Sequence, residues 1–334
     1  MHHPFRPLIS SLCALAASGG VLAAGLSEQD YFSELPVVLT VSRLAQPLSE
    51  TPGAVTIIDK EIIRRSGARN VADLLRLVPG YIVYGWNGAN PVGTYHSAID
   101  DFGTRNQVLV DGRSVYSSFY LGDTHRGMLG VVLEDIERIE VLRGSNSAAY
   151  GANAFLGVIN IVTRHAADTH GTLVALTAGD AGVKDNIFRH GWGGQNADYR
   201  LTATRQADTG YLNANDDNIL SQLHFRADLQ PSTDNDLMFS TGVIRHSAGE
   251  GFAADPNNPL RTVQAESFYL HGIWNRRLDA DQEVRLSVSF DEESMQDRAA
   301  YTLLPGVMLD YGGRGRRWSA EAQHTASLAP SLRA

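Results

Sequence analysis

Few residues of this chain have the types and spacing that catalysis requires. Two pairs of adjacent carboxylates, Asp100-Asp101 and Asp216-Asp217, have the chemistry of a general acid and base, but each pair lies in a polar loop without a suitably spaced histidine. The sequence contains neither a G-x-S-x-G nucleophile motif nor an H-E-x-x-H zinc motif. We therefore expect no enzymatic activity, no cofactor and no metal centre.

The charge balance argues against a nucleic-acid binder. The 334 residues include 28 basic and 37 acidic side chains, a formal net charge of -9, so no basic surplus is present to neutralise phosphates. Residues 1–24 predict an export signal, because Arg6 precedes an apolar core and small residues that suit cleavage. The only cysteine, Cys13, lies inside that signal. We expect an exported protein whose mature form has no thiol.

Residues 50–164 predict a mixed α+β domain. A strand is expected from Ala54 to Ile58, and Asp59 can cap a short helix that ends at Ser66-Gly67. Asn70 can cap a second helix, and further strands are expected at 107–110, 136–142 and 158–163. The second helix has apolar residues at helical spacing, namely Val71, Leu74, Leu75 and Val78.

From residue 168 to 334 apolar and polar residues alternate with period two. Leu223, Phe225 and Ala227, for example, alternate with His224 and Arg226. Short turns alternate with long polar loops at 207–218, 247–264 and 292–314. This pattern is typical of an antiparallel transmembrane β-barrel, and a soluble β-sandwich is the alternative. Eight strands are predicted, near 171–178, 185–193, 198–206, 222–229, 236–246, 266–277, 284–291 and 315–328.

Three groups of motifs in the first half of the chain resemble a known family. The segment from Ile136 to Gly144, with Tyr150-Gly151-Ala152-Asn153-Ala154 and Gly157 to Thr163, is similar to the end of the plug domain of TonB-dependent outer-membrane receptors. Two earlier segments agree with that domain in order and spacing, namely Ala54 to Gly67 with Ala72-Asp73-Leu74-Leu75 and Val78-Pro79-Gly80, and Val108 to Arg113. The resemblance implies an α+β plug domain followed by a transmembrane β-barrel.

The resemblance also implies a function and its partners. Receptors of this family take up ferric siderophores, vitamin B12 (cobalamin) or haem across the outer membrane, and the inner-membrane proteins TonB, ExbB and ExbD supply the energy. An extended segment near the start of the chain is similar to the TonB box, which TonB binds as an added strand. Its residues are Leu35, Pro36, Val37, Val38, Leu39, Thr40 and Val41.

Two further sets of site residues follow from the resemblance. Aromatic and amide side chains in the plug loops suit a bulky chelate, although they would equally suit packing against the barrel wall. These candidate substrate contacts are Tyr81, Tyr84, Trp86, Asn87, Tyr116, Phe119 and Tyr120. Charged residues on one plug strand are expected to meet the inner barrel wall, and a solvated strand edge is the alternative. These residues are Glu137, Arg138, Glu140 and Arg143.

The chain length restricts what the barrel can be. A plugged barrel of this kind needs about 22 strands, whereas residues 168–334 hold about eight. We therefore expect an incomplete barrel, in a chain that is the N-terminal part of a receptor truncated within its barrel. A non-transporting receptor or surface binding protein is the alternative.

Overall fold

The computed structural model describes residues 37–38, 46–47, 54–86, 89–95, 102–145, 147–151, 153–301, 303–329 and 332–333. The predicted signal, residues 1–24, lies outside the described residues. Of the predicted TonB box only Val37–Val38 is described, and this strand (β1) pairs antiparallel with Gln46–Pro47 (β2). None of the helices in the described ranges is long and apolar enough to cross a membrane.

Residues 54–164 form an α+β unit, here called the N-terminal domain. Its main sheet has five strands in the order β3-β8-β9-β6-β7, with β6 and β9 parallel and the other pairs antiparallel. A separate hairpin joins β4 to β5. The strands are β3 (Ala54–Asp59), β4 (Tyr81–Trp86), β5 (Asn90–Tyr95), β6 (Asn106–Val110), β7 (Arg113–Ser114), β8 (Ile136–Arg143) and β9 (Gly157–Thr163).

The helices of this domain begin where the sequence predicts caps. Helix α1 (Lys60–Ser66) follows Asp59, whose carboxylate accepts a hydrogen bond from the Ile62 amide at 2.8 Å. It ends at Gly67, whose φ of 70° is in the left-handed region that glycine favours. Helix α2 (Val71–Leu75) is capped by Asn70 in the same way as α1. Helices α3 (His125–Leu129) and α4 (Ser147–Tyr150) complete the set.

The core of the domain lies between the sheet and these helices. Val71, Leu74 and Leu75 are fully buried against Ile139 and Ile161 of the sheet. The predicted apolar stripe of α2 therefore makes the expected contacts, although the helix ends at Leu75 and Val78 packs from the turn that follows. Burial of this stripe is the main source of stability for so short a helix.

Most of the described residues from 171 onward form one antiparallel sheet, here called the long sheet. Its strands pair in chain order, which confirms the predicted sheet of eight long strands. It is not closed within the described residues, where β10 and β20 are its edges. The strands are β10 (Gly171–Ala178), β11 (Lys184–Gly194), β12 (Ala197–Asp208), β13 (Asn218–Ser232), β14 (Asn235–Glu250), β15 (Arg261–Arg277), β16 (Gln282–Gln296), β19 (Gly313–Ala329) and β20 (Leu332–Arg333).

Several strands extend beyond their predicted ends into segments expected to be loops. Strand β14 continues to Glu250 and β16 to Gln296, and the predicted loop 292–314 contains a hairpin of β17 (Arg298–Ala300) and β18 (Met308–Asp310). The extra residues pair with neighbouring strands, as Glu250 does with Arg261. Backbone pairing of this kind leaves little mark on side-chain pattern, which explains the error.

Candidate functional site

The N-terminal domain packs against one face of the long sheet through charged and polar side chains. Because side chains alternate along a strand, one set of residues from β11 to β19 faces the domain and the other set points away. The face toward the domain carries Asp185, Arg200, Arg226, Glu250 and Asp291, all of which contact it. The site is therefore an interface whose two sides carry complementary charges.

The turn between β6 and β7 lies at the centre of the interface. The carboxylate of Asp111 accepts hydrogen bonds from the Thr163 amide at 2.9 Å and from Arg226 of β13 at 3.2 Å. Asp111 has a φ of 51° and Gly112 a φ of 93°, so the turn uses the left-handed region twice. This conformation directs Arg113 to Asp291 of β16 and places its guanidinium 3.9 Å from the ring centroid of Tyr269.

Two further ion-pair sites join the domain to β11 and β12. Asp135 lies 3.3 Å from both Arg189 and Arg200, and it accepts a hydrogen bond from Thr202 at 2.7 Å. At the start of α2, Arg69 donates to both oxygens of Asp185 and to Asp208, each at 2.8 Å. These hydrogen bonds, Asp185 first, raise the pKa of Arg69 above its ordinary value despite the opposing effect of burial.

A fourth ion-pair site lies at the end of the sheet that carries the longer loops. One oxygen of Glu250 accepts hydrogen bonds from Asn90 of β5 at 2.7 Å and from Arg126 of α3 at 3.2 Å. Glu250 is 1% exposed, and Arg261 lies 3.5 Å from its other oxygen. Glu250 thus holds both the β4–β5 hairpin and helix α3 against the sheet.

The structure places the residues of the first predicted substrate group in different environments. Tyr81 is a core residue, 8% exposed, whose hydroxyl donates to Asn106 at 3.1 Å and whose pKa is raised by burial. Tyr84 is half-buried on the same strand. Trp86 ends β4, and the described ranges contain neither its side-chain environment nor Asn87. The position of Tyr81 gives it a packing role, because its ring lies 5.1 Å from that of Tyr95.

The second group lies against the sheet. Phe119 packs so closely on Gly313 and Gly315 of β19 that a Cβ atom at either glycine would lie 2.7 or 3.2 Å from it. Tyr116 accepts a hydrogen bond from Arg317 through its carbonyl oxygen. Tyr120 lies 4.6 Å beneath the guanidinium of Arg126, and burial raises its pKa. Phe119 thus packs on the sheet and Tyr120 joins this loop to the Glu250 site, while contact of either residue with a substrate stays a prediction.

The charged residues predicted to meet the barrel wall have partners inside the N-terminal domain. Glu137 pairs with Lys60 at 2.9 Å. Glu140 is fully buried and accepts from Arg138 at 2.7 Å and from Asn160 at 2.9 Å. Arg143 donates to the Pro79 carbonyl at 3.3 Å. Contact of these four with a wall stays a prediction.

Sequence reasoning missed most of the residues that do join the domain to the sheet. Asp111 and Arg113 lie in a recognised motif and Asp135 lies among the charges before β8, so these three carried a usable signal. Arg69 and Arg126 carried none, because their partners on the long sheet are more than 110 residues away in the chain. Within the described ranges no group of three His, Cys, Asp or Glu side chains could hold a metal ion.

A cavity of about 560 Å³ lies between the domain and the sheet at the end with the shorter turns. Its lining combines apolar and polar side chains from both sides of the interface. Among the lining residues are Asp111, His165, Arg226, Asp228, Arg285 and Glu321. The interface is therefore closely packed around its ion pairs and open between the β6–β7 turn and the end of the sheet with the shorter turns.

Comparison with known proteins finds a matching domain family and relatives of this chain. Residues 47–158 match the family model of the TonB-dependent Receptor Plug Domain. The chain is 34% identical over 168 residues to the vitamin B12 transporter BtuB of Vibrio vulnificus, covering 49% of this chain and 26% of that protein. It is 32% identical over 176 residues to a ferric enterobactin receptor of Pseudomonas aeruginosa, covering 50% of this chain and 23% of that protein.

The fold has a counterpart among solved structures. The chain superposes on Pseudomonas aeruginosa FpvA bound to heterologous pyoverdines with a TM-score of 0.71 and 15% identity, covering 91% of this chain and 44% of that one. At that identity the likeness concerns the fold. The chain spans about a quarter of the length of the two curated relatives.

Proposed function

Because the chain is a TonB-dependent receptor, with a plug domain and part of a barrel, we propose that it binds a scarce nutrient chelate at the cell surface and passes it across the outer membrane. The relatives named for vitamin B12 and ferric enterobactin suggest cobalamin or a ferric siderophore as the substrate, and haem is a third possibility. The observation that carries the proposal is a plug domain held against the inner face of the sheet by ion pairs.

The geometry supports a division of labour between the two ends of the plug. The loop of Tyr120 and the β4–β5 hairpin both approach the end of the sheet with the longer loops, since Asn90 and Arg126 share Glu250 there. That end is extracellular in barrels of this class. Substrate binding at these loops would act on the same ion pairs that hold the plug in place.

TonB is the proposed partner on the periplasmic side, with ExbB and ExbD supplying energy from the inner membrane. Within the described part of the chain, strand β1, in the predicted TonB box, pairs with two residues of β2. A strand from a partner would take the place of this pairing, which is how strand addition works. Substrate outside and TonB inside would then be two ligands that bias one plug.

Deletion of residues 35–41 tests the proposal. In the complete receptor, expressed in a strain that lacks its own transporters, we expect the deletion to abolish energised uptake of radiolabelled cobalamin or ferric siderophore and to leave surface binding unchanged. Binding and uptake are measured on the same cells, with and without a protonophore. Uptake that survives the deletion would overturn the proposal. Growth under iron limitation and under cobalamin limitation distinguishes the substrates.

A further inference from the structure

The loop that carries the second group of predicted substrate residues is closed on itself. We call residues 114–124 the substrate loop. The Ser117 amide donates a hydrogen bond of 2.9 Å to the carbonyl oxygen of Asp123, which joins the two ends of the loop. The ring of Tyr116 lies directly over Gly122, where an added Cβ atom would overlap it. Because the loop is so compact, a shift at one point of it displaces its aromatic side chains together.

The substrate loop has a backbone conformation that its own sequence does not favour. Leu121 has a φ of 49°, in the left-handed region, where a residue with a Cβ atom is strained. Its side chain is 65% exposed, so burial of that side chain does not compensate the strain. Strained backbone of this kind persists only where the surrounding structure over-determines it. Contacts made by other residues of the loop must therefore impose its shape.

Polar contacts with two strands of the long sheet supply part of that constraint. Glu293 of β16 accepts hydrogen bonds from the amide and the hydroxyl of Ser118, at 2.5 and 3.1 Å. Arg317 of β19 donates to the carbonyl oxygens of Ser114 and Tyr116. One carboxylate and one guanidinium of the sheet thus hold the backbone of the loop at three points. Hydrogen bonds to charged groups are among the stronger ones in proteins.

Two glycines between these charges receive the side chain of Phe119. Gly313 and Gly315 lie on β19, and the strand register places Gly315 beside Glu293. A Cβ atom at Gly313 would lie 2.7 Å from a ring carbon of Phe119, and one at Gly315 would lie 3.2 Å from its Cβ. Glycine at these positions therefore makes the notch into which the ring fits. We define the loop socket as Glu293, Gly313, Gly315 and Arg317.

We propose that the loop socket positions the substrate loop, so that strand β19 determines how the plug meets its substrate. The proposal rests on the proposed function and adds positioning residues to it. Phe119 is the anchor of the loop, and the neighbouring Tyr120, whose ring centroid lies 6.0 Å from that of Phe119, contacts the substrate. A binding site needs its contact residues held within about 0.5 Å of the productive geometry. Because Leu121 is strained, the loop keeps that geometry only while the socket holds it.

The variant Gly313→Ala of the complete receptor tests the proposal. The probe is radiolabelled cobalamin or ferric enterobactin, whichever the unsubstituted receptor takes up. Because the added Cβ displaces the ring of Phe119, we expect the Kd on whole cells to rise about tenfold, the low end of what overpacking costs. The KM of uptake should rise with the Kd while the maximal rate stays unchanged. Gly315→Ala, which intrudes less, should shift the Kd in the same direction by a smaller factor.

A size exchange separates an anchor from a substrate contact. Phe119→Leu alone underfills the notch and should weaken binding. The double variant Gly313→Ala, Phe119→Leu refills it and should bring the Kd back to within about twofold of the unsubstituted receptor, since volume-conserving exchanges are tolerated best. A double variant that binds no better than Phe119→Leu would overturn the proposal, because Phe119 would then contact the substrate itself.

The matched control is Gly272→Ala on β15, where no described atom lies within 4 Å of the added Cβ and the Kd should not change. The melting temperature in detergent is measured for every variant. An unchanged Kd in Gly313→Ala would overturn the proposal even if the melting temperature falls, because the glycine would then serve packing alone. That result contradicts the loop socket and leaves the proposed function standing, whereas uptake that survives deletion of residues 35–41 contradicts the proposed function.

Discussion

Asp135 shows how a single carboxylate joins the plug to the sheet. It is 5% exposed and lies at the end of the turn before β8, so its charge is removed from water. Arg189, Arg200 and Thr202, on two neighbouring strands, compensate that cost. A buried carboxylate of this kind stabilises only while its partners stay in place, because each of the charges is expensive when alone.

Replacement of Asp135 by asparagine should therefore destabilise the receptor markedly. The substitution keeps the shape of the side chain but leaves Arg189 and Arg200 without their counter-charge, a loss of about 3 kcal/mol for a broken buried pair. The measurement is the melting temperature of the complete receptor in detergent. Glu61→Gln is the control, since Glu61 pairs with Arg64 on the exposed face of α1 and little change is expected. Equal melting temperatures would show that Asp135 carries no such role.

At the scale of elements, a side-chain hydrogen bond joins two strands of the long sheet over the strand that lies between them. His224 of β13 and the Tyr269 hydroxyl of β15 form a hydrogen bond of 3.2 Å that passes over Gly242 of β14. Only a residue without a side chain leaves room for this contact. Tyr269 in turn lies under Arg113 of the plug, so the geometry of three strands fixes where the β6–β7 turn sits.

Gly242→Ala should disturb both the sheet and the docking of the plug. A Cβ atom there would lie 2.6 Å from a ring carbon of Tyr269 and 2.9 Å from one of His224, so both rings must move. We expect a loss of about 1–3 kcal/mol, typical of overpacking. Thermal unfolding and protease sensitivity of the plug are the measurements. Gly272→Ala on β15 is the matched control, because nothing lies within 4 Å of its added Cβ. A normal melting curve for Gly242→Ala would refute this account.

For the whole molecule, ion pairs join the plug to the sheet at the end with the longer loops and at the middle of the sheet. Arg69 and Glu250 hold the end with the longer loops, Asp135 and Arg113 the middle, and the cavity lies below them. The transport proposed above requires that these contacts be released. Under that proposal the coupling between substrate and TonB acts through the plug–sheet interface.

A reversible cross-link tests whether that interface must open. Ser117 and Glu293 are in contact across it, with the serine oxygen 2.8 Å from the carboxylate. In the variant Ser117→Cys, Glu293→Cys, a short cleavable thiol reagent should leave substrate binding intact and reduce energised uptake severalfold or more. Reductant should restore uptake, and each single cysteine variant serves as a control. Full uptake by the cross-linked receptor would mean that the plug need not separate from this part of the wall.

Local signals in the sequence were sufficient for the elements and for the family. Asp59 and Asn70 each accept a hydrogen bond from the amide three residues later, and Gly67 ends α1 in the left-handed region. The period-two alternation from Leu223 onward reports which side of a strand faces the N-terminal domain. The order of the plug motifs identified the domain. Each of these features depends on neighbours in the chain, which is why a sequence alone carries them.

The tertiary structure alone decided which charges meet. The sequence predicts wall contacts for Glu140 and Arg143 and makes no such prediction for Asp135. In the structure Asp135 pairs with Arg189 and Arg200 of the sheet, whereas Glu140 pairs with Arg138 and Asn160 of its own domain. In the same way Arg126 acquires its role only because α3 is brought to the end of β14. Strand register and domain docking set these distances, and both are long-range properties that no local pattern encodes.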